Sequence, residues 1–156
     1  MRAAARDRGS VSIEVAVLAP AFIGLMVLAG VAGRTAVADE AVESAAHDAA
    51  RAASLARTAR DGERAAEQAA RDQLDWSGLR CTAPPTLDLA GSVAGRPTTF
   101  RRAYRSAAGV PATVTVTVTC TVSFDDLRAP GLPGVPGSKT VSARFTSPLD
   151  TYRSRG

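Results

Sequence analysis

The chain has 156 residues, a formal net charge of +4 and 46% hydrophobic residues, yet aromatic residues make up only 4%. Alanine supplies much of the apolar fraction, so large core-filling side chains are too scarce for one compact soluble domain built from the whole chain. The basic excess is scattered arginine with no run beyond Arg101–Arg102, which describes a solvated surface and not a nucleic-acid patch.

Residues 1–9 form a short basic leader with Arg2, Arg6 and Arg8. From Val15 to Gly33 there is no charged residue, a run of 19 closed by Arg34. At about 1.5 Å per residue, a helix of that length roughly matches a ~30 Å hydrocarbon core. Residues 10–34 are therefore expected to form a transmembrane helix, with the basic flank placing the N-terminus in the cytoplasm. A cleaved secretory signal is the competing reading, with Ala36-Val37-Ala38 as the cleavage motif before Asp39. The apolar run is longer than an ordinary signal core, and Glu14 stands at its mouth. Pro20, inside the run, predicts a kink. Ala29 and Gly33 form one small-xxx-small pair.

Residues 35–76 read as an alanine-rich extramembrane helix. Alanine has the highest helix propensity, and Gly62 is the first breaker, expected to mark a bend. Val37, Ala41, Ala45, Ala49, Ala52 and Ala56 define a narrow stripe of small side chains. Either a second helix packs there or the segment stands as a solvated stalk. Beyond Gly62, Ala66, Ala69, Ala70, Gln73 and Leu74 share one side, and Trp76 is expected to pack the helix end onto the next domain.

Residues 77–156 change character to a small β-domain. Pro84-Pro85 and Gly91–Pro97 read as loops, and Thr98–Arg105 as a strand. Val110–Phe124 alternates valine with threonine, and period two with β-branched residues is a strand. Cys120 shares the valine face. Thr140–Thr146 is a second strand, with Val141, Ala143 and Phe145 inward. Between the two lies Ala129–Gly137, APGLPGVPG, three Pro-Gly pairs too few for a triple helix and read as a stiff hairpin loop. The only two cysteines, Cys81 and Cys120, form no CxxC. In an exported segment they are expected to pair as one disulfide; two buried thiols is the alternative.

Catalytic chemistry is not evident. His47, the only histidine, lies within the alanine helix with no nucleophile elbow near it in sequence. No phosphate loop, metal-ligand motif or cofactor fingerprint is present. Asp125-Asp126 suits a turn or cap better than a metal. The expectation is a non-enzyme that uses no cofactor and binds no nucleic acid.

One segment carries a family resemblance. Gly9 is followed by Ser10 and, four residues further, by Glu14 at the head of the apolar run; this resembles the leader of type IV pilin-like proteins. More narrowly, Arg8, Gly9, Glu14, Ala16 and Pro20 resemble the motif of TadE-like proteins of tight-adherence (Tad) pilus systems. The tail Ser147–Ser154 is similar to those of actinobacterial members. The resemblance implies cleavage by a prepilin peptidase between Gly9 and Ser10. It also implies a registry role for Glu14 against a neighbouring subunit's amine, and partnership with other pseudopilin subunits and the assembly platform. A Glu14 that snorkels into headgroups beside Arg8 is the bland alternative. The fold expected is α+β: a long N-terminal helix followed by a small antiparallel sheet, a pilin-like lollipop in the cytoplasmic membrane with its head outside. The function expected is a minor pilin. A single-pass membrane-anchored adhesin or binding module is the alternative.

Overall fold

The computed structural model describes residues 8–127 and 137–152, with side chains from Glu14 onward. The start of the leader, most of the Pro-Gly loop and the last residues of the tail motif lie outside the described residues. The chain runs as helix α1 (Arg8–Leu55), helix α2 (Ala59–Trp76), strands β1 (Thr86–Val93) and β2 (Arg96–Thr99), short helix α3 (Phe100–Tyr104), strand β3 (Ala112–Ser123), a 3₁₀ turn (Asp125–Leu127) and strand β4 (Ser138–Pro148). The strands form one antiparallel sheet in the order β2-β1-β3-β4. A long apolar helix followed by a small antiparallel sheet is the α+β arrangement expected.

Helix α1 is one continuous element of 48 residues that includes Pro20. Its first half is an exposed apolar arm and its second half is part of the head's core. Its second half buries Ala38, Ala41, Val42, Ala45, Ala46, Ala49, Ala50 and Ala53. This stripe is two residues wide, because it serves two neighbours: α2 along one side and strands β3 and β4 along the other. The narrower stripe expected from Val37 to Ala56 is corrected accordingly: Val37 is exposed, while Ala38, Val42, Ala46, Ala50 and Ala53 are buried. The alanines lack bulk, so the backbone of α1 comes close to both layers. The second helix that the stripe could accept is the chain's own α2.

The break between the helices lies at residues 56–58, not at Gly62. Thr58 caps α2: its hydroxyl accepts the Asp61 amide at 3.2 Å and donates to the Asp61 carboxylate at 2.7 Å. This reciprocal cap supplies a partner for an otherwise orphaned helix donor. Gly62 is helical and buried. A Cβ placed there would meet the Tyr104 hydroxyl and lie 3.2 Å from Phe100 Cζ. Glycine is thus required for close approach to α3, and not for a bend.

Helix α2 buries Gly62, Ala66, Ala70 and Leu74 at a spacing of four, which places one face along α1. It ends in a Schellman motif: Leu79 N–H donates to Leu74 O and Gly78 N–H to Asp75 O, both at 3.0 Å, with Gly78 at φ 67°. Trp76 does not pack onto the next domain; it is 84% exposed.

In β3, Val114, Val116, Val118, Cys120 and Val122 are buried against the helical layer, joined at the end of the strand by Phe124. The threonines face the other way. Across that outer face, Thr115 pairs with Thr146, Thr119 with Ser142 and Thr121 with Thr140 at 2.8–3.0 Å. Hydroxyl pairs between opposed residues stabilise the ladder on its polar side. Two expectations for the sheet need correction. Thr86–Val93, including part of a presumed loop, is strand β1. Only residues up to Thr99 of the Thr98–Arg105 segment are extended, and Phe100–Tyr104 is helix α3. Val141, Ala143 and Phe145 of β4 lie opposite Cys120, Val118 and Val116 on the inner face as expected; Phe145, at the sheet edge, is 37% exposed and rests edge-on against the His47 ring of α1 with centroids 4.4 Å apart.

Candidate membrane anchor and its junction with the head

From Glu14 to Gly30 the described side chains of α1 are mostly exposed. Val15, Val17, Leu18, Phe22, Ile23, Leu25, Met26 and Leu28 are each at least half exposed. An apolar patch of this extent is not a solvated surface; it requires lipid or apolar partners. The helix is long and apolar enough to cross a membrane. Glu14, Ala16 and Pro20 are exposed on this arm, and Gly9 and Ser10 lie in its first turns. Ser10 and Glu14 thus share one helix, four residues apart.

Arg34, the first charge after the apolar run, anchors the head. Its guanidinium donates to both carboxylate oxygens of Asp126, at 2.5 and 2.8 Å, and to the Ser123 carbonyl at 3.3 Å. The two-pronged geometry fixes direction as well as distance. The hydrogen bonds from Arg34 hold the Asp126 carboxyl below its ordinary value of 3.8. The 3₁₀ turn presents Asp126, while Asp125 accepts from the Ser123 hydroxyl at 2.8 Å. Close by, Lys139 of β4 lies 4.0 Å from Asp39 of α1. The sheet is therefore tied by charge to the point where α1 leaves its apolar stretch. Sequence reasoning assigned Asp125-Asp126 a turn role and gave Arg34 only the end of the run. No local pattern links residues 92 positions apart; the available signal was that each is a charge at a boundary.

The covalent tie lies nearby. Cys81, five residues beyond α2, is disulfide-bonded to Cys120 of β3, with Cα atoms 5.4 Å apart. Cys120 points under the sheet as its place on the valine face required, and Thr82 N–H donates to Thr121 O at 2.7 Å beside the bridge. Among the described residues, no cluster of three His, Cys, Asp or Glu side chains could hold a metal ion.

The fold and its junction define a class: a membrane-spanning-capable helix that continues without interruption into an α+β head and forms part of that head's core. Residues 9–51 match the family model described as TadE-like protein. The match starts at Gly9 and takes in Glu14, Ala16, Pro20, the apolar arm and most of the buried alanine face, so this arm of the chain is TadE-like. It supports a part in Tad pilus assembly at the membrane. No curated protein and no solved structure matches the chain.

Proposed function

We propose that this protein is a non-catalytic, pseudopilin-like minor component of a Tad pilus, anchored by residues 15–33 in the cytoplasmic membrane. Its N-terminus is cytoplasmic and its head lies on the outer side. The observation that carries this reading is α1 itself: one helix extends from the Gly9–Ser10 segment through an exposed apolar arm into the head, with Glu14 exposed near its start. A carboxylate within a membrane-spanning helix is costly, up to about 2.5–3.5 kcal/mol at the helix centre, and is normally partnered; Glu14, at the mouth of the run, carries a part of that cost. A prepilin peptidase cutting after Gly9 frees the amine of Ser10. Along a rigid helix that amine cannot fold back onto Glu14 of its own chain, whereas the amine of an adjacent subunit can reach it. Glu14 then sets the axial register between neighbouring helices, and a neighbouring pseudopilin and the assembly platform are its partners.

N-terminal sequencing of protein extracted from membranes tests this directly. Ser10 as first residue is the expected result; Asp39 would mean that the arm is a discarded signal and would end the proposal. For Glu14, the measurement is incorporation of Glu14→Ala into sheared pilus fractions. Unchanged incorporation would remove its registry role.

A further inference from the structure

We propose that the membrane-proximal end of the head rests on the lipid headgroups through Trp76. This inference rests on the reading of residues 15–33 as a membrane anchor. Helix α2 turns back along α1, so its C-terminal end returns to where α1 emerges from its apolar run. Ser77, Leu79 and Arg80 line a shallow cleft together with Arg34 and Val37. Val37 is only four residues beyond Gly33, about 6 Å at a rise of about 1.5 Å per residue. The polar headgroup layer extends about 5–8 Å beyond the hydrocarbon on each side. The end of α2 therefore lies at headgroup depth.

Trp76 is the last residue of α2, two positions beyond Leu74 and hence away from the face packed on α1. A ring that is 84% exposed gains nothing from the protein around it. Indole, with an apolar body and one N–H donor, is suited to the headgroup boundary. Val37, 57% exposed on the neighbouring helix, adds apolar surface continuous with the lipid-facing arm. The charges at this end are of both signs: Arg34 with Asp126, Lys139 with Asp39, and Arg80 lining the same surface hollow as Asp75. That mixture provides no field selecting anionic lipid, so the surface fits a zwitterionic headgroup layer. Membrane helices tilt by about 20° on average, and a tilt toward α2 lowers Trp76 into that layer. The Schellman cap holds the segment in place.

Because Trp76 is the only tryptophan, its fluorescence reports this contact alone. The full chain is reconstituted into phosphatidylcholine vesicles, with and without lipid brominated near the headgroup end of the acyl chains. Brominated lipid is expected to quench the emission roughly twofold, with aqueous iodide quenching reduced severalfold relative to free N-acetyltryptophanamide. Strong iodide quenching without an effect of brominated lipid would overturn the proposal, because Trp76 is then in water. Shielding from iodide without bromine quenching would also overturn it, because a second copy or another protein surface then covers the ring. Carbonate extraction of the same vesicles reports anchoring independently: release of the chain defeats the anchor reading, whereas a retained chain with a water-exposed Trp76 defeats only this inference.

Discussion

Arg34 and Asp126 are joined by two parallel hydrogen bonds across 92 positions of sequence, and this pair fixes the head at the exit of the apolar arm. Its pH dependence has a definite sign. The Asp126 carboxyl is held below 3.8 in the folded chain, so its contribution to stability is fully present above the unfolded value and is lost as pH falls through the lower folded value. Both partners are substantially exposed, so the effect is modest and screened by salt. In acid titrations of the detergent-solubilised chain, the native protein should lose stability relative to Asp126→Asn below about pH 4. The difference between the two should be flat from pH 5 to 8. High salt should shrink that difference.

The hydroxyl of Tyr104 donates to the Ala53 carbonyl, one of the last carbonyls of α1, and Gly62 makes room for that ring. Tyr104 is buried, and Tyr104→Phe removes this hydrogen bond while the Ala53 carbonyl keeps the Ala56 N–H at 3.0 Å, so a loss of about 0.5–1.5 kcal/mol is expected. Gly62→Ala would gain helix propensity at an ordinary position. Here the added methyl collides with Tyr104 and Phe100, and a net loss of about 1–3 kcal/mol is expected. Denaturant unfolding of each variant measures both.

This corner also shows how far the sequence could be read. Gly62 stood out as a helix breaker because propensity is a local property, and the reason for it lies on α3, about forty positions away. The actual break carried a local signal, Thr58 three residues before Asp61, a capping pattern that the run of alanines obscured. The valine–threonine alternation of β3 was plain because every second side chain is a large apolar group. Strand β1 was hidden because Gly91 interrupts its pattern, and that glycine is set by Ala103, whose Cβ would lie 2.7 Å from any Cβ at position 91. The apolar arm was legible from the absence of charge between Val15 and Gly33. Its attachment to Asp126 was not, since an ion pair between distant elements leaves no period in either.

The same close approach makes a graded prediction along α1. Ala46 is fully buried in the helical layer, and Ala46→Leu should destabilise the head by about 1–3 kcal/mol through overpacking. Ala36, exposed ten residues earlier on the same helix, should accept leucine with a change within about 0.5 kcal/mol. Thermal unfolding of the two variants side by side checks the contrast. Equal tolerance at both positions would mean that α1 stands clear of α2 and the sheet.

The Cys81–Cys120 bridge closes a loop of sequence separation 39 that contains β1, β2, α3 and most of β3. In the chain-entropy account, a loop of that size restricts the unfolded chain by about 4 kcal/mol. The loss should be largest where the remaining core is thin, and this core is built mainly from alanine and valine with Phe124, Phe100 and Tyr104 as its buried aromatics. Cys81→Ser with Cys120→Ala should therefore lower the unfolding midpoint more than any single substitution above, while leaving α1 helical from its own propensity. Circular dichroism of the reconstituted variant should show helix signal persisting above the temperature at which the sheet signal is lost. Full labelling of both thiols in the native, unreduced and denatured protein would show that the bridge is absent.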